Sequence, residues 1–508
     1  MVDRAQKRIL EGPLAWEVFR FGIPLAIGAI LQTTFNLVDA YLIAQLPKAE
    51  VGPAIGALGV CDQLAAVGTI FSYGVSTAAA TIVANHRGKG DVEAVKRTAW
   101  QSFIVVGFLS ALFGVLGLFA GPIVSGVIGL KGAAADVATK YLRVILAGSG
   151  TMFMLLQVTS IQRALGSSKT PVALLVLGNV LNVVFAVLCL FGPTPPEGAL
   201  GFAGGIARTF GVPAMGMPGA AWATVIARAL VLVPSFFVLT RRFDVVPKPE
   251  ARKPDRKEIR ELMRLAWPTS AQFVLRITAM LLVNSLVARF YSTEADQTAT
   301  TAMGLVFRVD SVALFVAMGW GGAAQTFVGQ NLGAHQDARA KRAGLVAAAY
   351  DALMNVAFFV LLGYYGEHVL RFFGKEDAPV AIGLDYLRIV GKSYVGLGIG
   401  VVLGNAITAA KAAKTAFRVD VGVLLAFQFP VCLVAVLVLK VSLLGLFQCV
   451  AATAFAGALA YGAVYLRGHW VAEGRAHDKD APGESEKPEP PAPEATDEAD
   501  EAVGEARP

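Results

Sequence analysis

The sequence contains little charge and few of the side chains that usually carry catalysis. Only 16% of its 508 residues are charged, and its five histidines are scattered along the chain. It has no HExxH zinc-binding motif, no GxSxG nucleophile motif and no Walker A phosphate-binding loop. The sequence therefore gives no support for hydrolytic chemistry or for ATP-driven transport, and we expect the protein not to be an enzyme.

Cysteine is also scarce. The four cysteines are Cys61, Cys189, Cys432 and Cys449, and all lie in or beside apolar stretches without forming a CxxC pair. This pattern indicates neither a disulfide framework nor a zinc site, and it is typical of small side chains in helix packing. We expect no metal and no cofactor, apart from a proton or a sodium ion as the coupling ion.

Long apolar segments dominate instead. The chain is 55% hydrophobic with a mean hydropathy of +0.60, whereas soluble domains contain about a quarter charged residues. Segments long enough to cross a hydrocarbon core are predicted at residues 14–46, 53–85, 98–122, 134–166, 171–192, 216–240, 260–290, 297–331, 343–365, 378–410, 415–439 and 442–468. The predicted fold is an all-α membrane protein with twelve transmembrane helices.

Alternate connections between these segments are strongly basic. The longest, TRRFDVVPKPEARKPDRKEIR, follows the sixth segment, and HQDARAKR follows the eighth. Because basic loops stay on the cytoplasmic side, both termini are predicted to be cytoplasmic, which requires an even number of spans. We expect an integral protein of the plasma (inner) membrane.

The last part of the chain, residues 471–508, differs in composition from the rest. It holds twelve acidic and four basic residues with repeated proline, and we predict that it is disordered. Without it the chain has 40 basic and 25 acidic residues, so the basic charge belongs to the membrane part. Clustered loop charges account for this excess, and no nucleic-acid partner is expected.

The two halves of the sequence repeat each other. At an offset of 245 residues, Gly74, Thr81, Gly88 and Lys96 coincide with Gly319, Thr326, Gly333 and Lys341. Both copies begin on the cytoplasmic side, so the repeat is parallel and each copy contains six spans. The predicted organisation is an N-lobe at 1–240, a basic linker at 241–259, a C-lobe at 260–470 and the acidic tail at 471–508. Two such lobes form a central cavity at their interface in many secondary transporters.

Several stretches resemble the multidrug and toxic compound extrusion (MATE) family of the multidrug, oligosaccharidyl-lipid and polysaccharide flippase superfamily. They are IPLAIGAILQTTFNLVDAYLIAQL at 23–46, QRALGSSKTP at 162–171, GMPGAAWATVIA at 216–227 and FVGQNLGAHQ at 327–336. The resemblance covers about residues 10–468. It implies two six-helix lobes, alternating access, and antiport of small amphipathic or drug-like compounds against protons or sodium. The expected partners are such a substrate and the lipid bilayer, and the protein is expected to be a monomer.

Two other functions stay open from the sequence. One is a lipid-linked saccharide flippase of the same superfamily, whose pyrophosphate would suit arginines in the cavity. The other is a membrane enzyme that uses an embedded acid, although the chain shows no convergent His, Asp and Glu residues at one membrane depth.

Asp39 is the only charged residue between Arg20 and Lys48. It lies roughly 10 Å from the outer end of its predicted helix, within the hydrocarbon slab. A carboxylate at this depth is costly, so an intramembrane acid is a functional candidate by default. It could exchange a proton or help to coordinate sodium. The alternative is a structural carboxylate that neighbouring polar groups hold, or one that stays protonated.

The resemblance supplies neighbours for this acid. Asn182 on the fifth span and Thr224 on the sixth match the family's N-lobe cation-coupling cluster. Asn179 shares a helix face with Asn182 and is included in the predicted site, although both are alternatively ordinary interhelical hydrogen bonders. Where the family commonly has a second acid this chain has Ala186, which favours proton over sodium coupling.

The C-lobe lacks the acids that one branch of the family uses in its seventh and tenth spans, and the repeat partner of Asp39 is Val283. The candidates for the substrate cavity are Gln32, Asn36, Arg276, Arg308 and Asp310. Arg276 is the predicted partner of Asp310 or of an anionic group, because residues two apart on a helix do not face each other. A structural ion pair is the alternative. With arginines in the cavity, a purely cationic substrate is less favourable.

Pro24 and Pro268 are predicted to begin matched helices of the two lobes. Proline removes a backbone hydrogen bond and permits bending. Bending at Pro24 would change the environment of Asp39, and a proline in the first turns without any motion is the alternative.

Overall fold

The computed structural model describes residues 2–195 and 201–479, which contain helices and no strand, as predicted for an all-α protein. The N-lobe contains span 1 (Leu14–Ala44), span 2 (Lys48–Lys89), span 3 (Val92–Leu118), span 4 (Gly132–Ala147 and Ser149–Ala164), span 5 (Lys169–Phe191) and span 6 (Met217–Arg241). The C-lobe contains span 7 (Arg256–Phe290), span 8 (Thr298–Gly333), span 9 (Asp337–Phe373), span 10 (Asp377–Val390 and Tyr394–Ala409), span 11 (Ala413–Asp420 and Phe429–Leu437) and span 12 (Leu443–Arg467).

Shorter helices connect or flank these spans. They are Val2–Glu11, Ala120–Pro122, the π-helix Ile123–Val127, Phe202–Phe210, the 3-10 helices Pro249–Arg252 and Gly391–Ser393, the π-helix Val421–Gln428, and His469–Lys479. Gly391–Ser393 joins the two parts of span 10, and Val421–Gln428 joins those of span 11.

The number of membrane-crossing helices agrees with the sequence. In the described ranges, eleven helices are long and apolar enough to cross a membrane, and span 4, whose two parts meet at 42°, is the twelfth when counted as one broken span. Several helices extend beyond their apolar runs into charged residues. Span 9, for example, covers Asp337–Phe373 where the hydrophobic pattern alone predicts 343–365.

The prediction that disorder begins at residue 471 is wrong for residues 471–479. His469–Lys479 is a helix in which Trp470 and Val471 are buried. The Trp470 ring stacks on Tyr465 with 4.8 Å between the centroids, and its indole N–H donates to the Tyr465 carbonyl. These contacts at the start of the helix stabilise it, although many of its other residues are charged. Residues 480–508 of the predicted tail lie outside the described residues.

The internal repeat reappears in the contacts between the lobes. Asn85 Nδ2 donates to the Ala409 carbonyl at 2.9 Å, and Gln330 Nε2 donates to the Ala164 carbonyl at 2.7 Å. Asn85 and Gln330 are separated by 245 residues, and Ala164 and Ala409 are separated by the same number. The two bonds are therefore copies of one interaction, made once by each lobe.

Two glycines bring spans 2 and 8 together at the same level. A Cβ at Gly88 would overlap the Gln330 carbonyl, and a Cβ at Gly333 would overlap the Asn85 carbonyl. Gly88 and Gly333 are also repeat partners, and both stand where a basic connection begins. The lobes are therefore in direct contact at the end of the molecule that carries the basic connections.

Span 1 divides its contacts between the two lobes. In its first half, a Cβ at Gly22 would overlap the Trp320 ring of span 8 in the C-lobe. Its second half carries Asp39, which contacts span 5 of the N-lobe. Pro24 lies inside the helix, within the part that packs on span 8, where Ala26 also contacts Gly319. The backbone hydrogen bond that proline removes is therefore missing in the part of span 1 that contacts the C-lobe.

Candidate functional site

Asp39 is bound by the side chain of Asn182. Asn182 Nδ2 donates to both carboxylate oxygens of Asp39, at 2.9 Å each. Span 1 supplies the acid and span 5 the amide, from positions 143 residues apart in the sequence. The contact therefore ties the second half of span 1 to the N-lobe.

Thr224 extends this contact to span 6. Its Oγ1 lies 3.2 Å from Asn182 Oδ1 and 2.9 Å from the Ala220 carbonyl, and its single hydrogen can be donated to either acceptor. The Asn182 amide thus presents its nitrogen to Asp39 and its oxygen to Thr224. The structure brings together Asp39, Asn182 and Thr224, the three residues of the N-lobe cluster that the family resemblance implies.

Asn179 and Ala186 do not extend this chain of polar groups. Asn179 is buried, and its Nδ2 has no hydrogen-bond partner within residues 2–195 and 201–479. Ala186 is 1% exposed and belongs to the apolar core of the N-lobe. Apolar packing therefore occupies the position where the family commonly has a second acid.

Arg228 belongs to this region and was missed in the sequence. It lies one helical turn after Thr224 on span 6, and its guanidinium group interacts electrostatically with Asp39 and with Tyr141. In a medium of low dielectric constant this positive charge stabilises an ionised Asp39. A signal was available, because an arginine inside an apolar span is as costly and as informative as an acid.

In the C-lobe, Arg276 pairs with Asp420, so the predicted pairing with Asp310 is wrong. Arg276 Nε and Nη2 both lie 3.2 Å from Asp420 Oδ2, and Nη2 lies 3.3 Å from Oδ1. Tyr461 donates its hydroxyl to Asp420 Oδ1 at 2.7 Å. The sequence analysis missed Asp420, which ends the first part of span 11 and is 144 residues from Arg276. The geometry is that of a structural ion pair.

Asp310 is held by two tyrosines of span 10. Tyr386 donates to its Oδ2 at 2.7 Å, and Tyr394 donates to its Oδ1 at 2.6 Å. Arg308 is exposed and lies over the Phe373 ring, 5.2 Å from its centroid, so it does not face Asp310. Arg276 and Asp310 line one cavity of the C-lobe, and Arg308 is absent from the described lining of that cavity.

Asp351 on span 9 is a further buried acid that the sequence analysis missed. It is 0% exposed, and its Oδ2 accepts a hydrogen bond from Asn355 Nδ2 at 3.1 Å. A Cβ at Gly398 of span 10 would overlap this oxygen, so the glycine makes room for the acid. Asp351 is enclosed by the C-lobe and does not contact the Asp39 site.

The other predicted residues are placed as follows. Gln32 lies on span 1 and is partly buried, and the side chain of Asn36 lies outside the described residues.

Pro24 and Pro268 lie inside spans 1 and 7, so the prediction that they begin those helices is wrong. The helices start earlier because the charged residues before each proline continue the helical pattern. Val283 is buried in the apolar core of the C-lobe.

We expect the Arg276–Asp420 pair to be important for stability. An Asp420→Asn protein keeps the shape of the side chain but leaves a largely buried guanidinium without its counter-ion, which costs about 3–5 kcal/mol of unfolding free energy. Unfolding of the purified protein in detergent, followed by circular dichroism, measures this loss. Arg388→Gln is the control, because Arg388 and Asp385 form an exposed pair worth at most about 1 kcal/mol. Equal stability of the two variants would contradict the assignment.

A family model matches both lobes of the chain. The MatE model matches residues 24–188 and 268–434, one match in each half. Together the matches cover more than half of the chain, including Asp39, Asn182 and both partners of the Arg276–Asp420 pair. The chain belongs to the MatE family.

Curated relatives of this MatE protein are named as a probable multidrug resistance protein and as a transporter. The chain is 25% identical over 402 residues to the probable multidrug resistance protein YpnP of Bacillus subtilis, covering 79% of this chain and 84% of the relative. It is 22% identical over 405 residues to the FAD transporter of Shewanella oneidensis, covering 79% and 83% of the two chains. These relatives support a membrane transporter of the multidrug efflux type.

Solved structures support the MatE fold. A transporter of the MOP superfamily from Pyrococcus furiosus superposes with a TM-score of 0.78 at 18% identity, over 93% of this chain and 97% of the other. A multidrug resistance MATE transporter in an outward-facing conformation gives a TM-score of 0.77 at 19% identity, over 93% and 97% of the chains. At these identities the similarity establishes the fold alone.

Proposed function

We propose that this MatE protein is a proton-coupled antiporter that exports small amphipathic compounds by alternating access. The observation that carries the proposal is the orientation of the Asn182 amide. Its nitrogen donates to both oxygens of Asp39, and its oxygen is directed to Thr224. A sodium ion needs several oxygen ligands directed at one point, whereas here an N–H group occupies the carboxylate.

The ligands near Asp39 support the same choice. Arg228 places a positive charge near the carboxylate and opposes the binding of either cation, whereas Ala186 supplies no second carboxylate. Sodium therefore lacks the further oxygen ligands that it needs. A proton binds covalently to one carboxylate oxygen and needs no such set of ligands.

Proton binding would change the contact between spans 1 and 5. When Asp39 is protonated, one of its oxygens becomes a hydroxyl, which donates its own hydrogen and is a weaker acceptor for Asn182 Nδ2 than the carboxylate oxygen was. The charge interaction with Arg228 is lost in the same step. The outer half of span 1 is then held less tightly by the N-lobe, while its first half stays packed on span 8 through Gly22 and Trp320.

The orientation of the chain gives this change a direction. We place the basic connections and both termini in the cytoplasm, by the positive-inside rule. The lobe contacts at Gly88 and Gly333 then close the cytoplasmic side. In this state protons would reach Asp39 from the outside, and their binding would promote the change to the opposite state.

Imposed ion gradients test the proposal. Full-length protein in liposomes is given either a pH step or a sodium step, and movement of rhodamine 123 and 6-carboxyfluorescein is recorded by fluorescence. We expect the pH step to drive transport and the sodium step alone to have no effect. Transport driven by sodium alone would overturn proton coupling, and failure of both gradients with every compound tested would overturn the antiporter.

The alternative, a lipid-linked saccharide flippase, has less support. Its pyrophosphate was expected to bind Arg276 and Arg308 together. Arg276 is instead neutralised by Asp420, and Arg308 lies exposed over Phe373. Translocation of a lipid-linked saccharide in the same liposomes, without movement of either dye, would favour the flippase.

A further inference from the structure

A large cavity lies at the end of the molecule that carries the basic connections. It has a volume of about 860 Å³, which suits a small molecule or a lipid headgroup. Four segments line it: the N-terminal helix Val2–Glu11, the first turns of span 1, the connection between spans 4 and 5, and the residues that follow span 6. We call this cavity the basic pocket.

Cations dominate the lining of the basic pocket. Its six basic side chains are Arg4, Lys7, Arg8, Arg20, Lys169 and Arg242, and its two acidic side chains are Glu11 and Glu17. Lys7 and Glu11 approach each other at 3.8 Å. Arg8, Arg20 and Lys169 make no ion pair in the ranges that the structure describes. The lining therefore carries an excess of four positive charges.

The positive-inside bias alone does not account for this arrangement. That bias places basic residues on the cytoplasmic side of a membrane protein, but it does not gather them around one cavity. Here Arg242 Nη1 donates to Thr170 Oγ1 at 3.3 Å, which brings the arginine to the start of span 5, next to Lys169. Like charges held together in this way repel one another unless an anion neutralises them.

The N-terminal helix that forms one wall of the pocket is fixed to both lobes. Gln6 Nε2 donates to the Arg87 carbonyl of span 2 at 2.6 Å. Arg339 of span 9 donates to the Ile9 carbonyl through Nε at 3.3 Å and through Nη2 at 3.2 Å. The Ile9 side chain is itself buried. The basic face of this helix is therefore held in place at the pocket.

The cations come from both sides of the contact between the lobes. Arg20 lies on the first half of span 1, and the adjacent Phe21 packs on Phe327 of span 8 with 5.6 Å between ring centroids. Lys169 begins span 5 of the N-lobe. Phe21, Phe327 and Phe243 also line the pocket. A ligand in the pocket thus meets cations from both sides and an aromatic wall.

We propose that the basic pocket binds a phosphate-bearing anion, with Arg20 on one side of the phosphate and Lys169 on the other. Arginine and lysine form charge-assisted hydrogen bonds with phosphate oxygens. Basic pockets between spans on the cytoplasmic side bind the headgroups of anionic lipids, and a free phosphate of the cytoplasm offers the same chemistry. Binding at this site depends neither on the coupling ion nor on the exported compound.

Two lipids and a free phosphate distinguish the sources of the anion. Native mass spectrometry of the full-length protein, released from a neutral detergent, measures the binding of phosphatidylglycerol, an anion, and of phosphatidylcholine, which has no net charge. Inorganic pyrophosphate is titrated without lipid by calorimetry. We expect phosphatidylglycerol to bind more tightly than phosphatidylcholine if lipid headgroups fill the pocket. Binding of pyrophosphate without a preference between the lipids would assign the pocket to free phosphates.

Removal of single cations tests which residues hold the anion. Arg20→Gln and Lys169→Gln should each weaken its binding about fivefold, and together about thirtyfold, as expected for cations near a membrane surface. The matched control combines Arg241→Gln with Arg467→Gln, which removes two arginines from the ends of spans 6 and 12 and should leave the affinity unchanged. All four side chains are exposed, and thermal unfolding of every variant is recorded in parallel.

Three results would overturn the proposal. The first is equal binding of the two lipids together with no binding of pyrophosphate. The second is an unchanged affinity for the anion in Arg20→Gln or in Lys169→Gln, because the bound phosphate would then not lie between the two sides. The third is equal weakening by the control pair, which would reduce the effect to the overall charge of the cytoplasmic side.

Discussion

An Asp39→Asn protein is expected to lose pH-driven export and to fall to the level of empty liposomes. Asparagine has the size of aspartate but cannot bind and release a proton in the range where the transporter works. The amide also removes the negative charge that Asn182 and Arg228 stabilise. The measurement is dye movement in liposomes after an imposed pH step, at matched protein content.

The control for this variant changes an acid that lies away from the site. Asp385→Asn removes an exposed carboxylate that pairs with Arg388 at 3.4 Å, and its transport should match that of the unmodified protein. Dye binding without a gradient is measured as well, because Asp39→Asn should bind substrate and fail only in coupling. Full export by Asp39→Asn against an imposed gradient would disprove the role assigned to Asp39.

The second large effect is expected at the glycine contacts between the lobes. Gly88→Ala or Gly333→Ala places a methyl group against a backbone carbonyl of the facing span. Backbone atoms within a helix cannot shift aside as the end of a flexible side chain can. Overpacking of this kind costs about 1–3 kcal/mol and acts only on the state in which the lobes touch. The population of that state should fall by roughly fivefold to a hundredfold, and transport should fall with it.

Thiol labelling reports this change directly. Ala84 is buried at 0% exposure beside Gly329 of span 8, so a cysteine there is protected while the lobes are in contact. In a background without the four native cysteines, Ala84→Cys should react with a maleimide faster when Gly88→Ala or Gly333→Ala is present. The controls are Gly114→Ala and Gly363→Ala, where the added methyl group meets open space. Unchanged labelling and transport in the Gly88 and Gly333 variants would show that the contact does not control closure.

Much of the architecture could be predicted from the order of residues alone. Apolar length determined the spans because a helix that crosses a bilayer must satisfy its backbone internally and present apolar side chains to lipid. The repeat at an offset of 245 residues predicted two equivalent lobes, and the paired bonds of Asn85 and Gln330 are copies at that offset. The family resemblance also placed Asp39, Asn182 and Thr224 in one cluster.

The helix at His469–Lys479 marks one limit of this reasoning. The composition of residues 471–508 predicts disorder as an average, and that average hides Trp470 and Val471 at the start of the segment. Their burial depends on the neighbouring Tyr465 and on the lobe interface, which a window of local sequence does not contain.

Charge pairing was decided only by the tertiary structure. Arg276 was assigned to Asp310 because the two lie on consecutive spans, yet its partner is Asp420, 144 residues away. A guanidinium group reaches several ångströms from its helix, so its partner depends on how spans 7, 8 and 11 rotate and pack rather than on their order. The same holds for Arg228 beside Asp39. The sequence determined that charges occur within the spans, and three-dimensional packing determined which of them pair with one another.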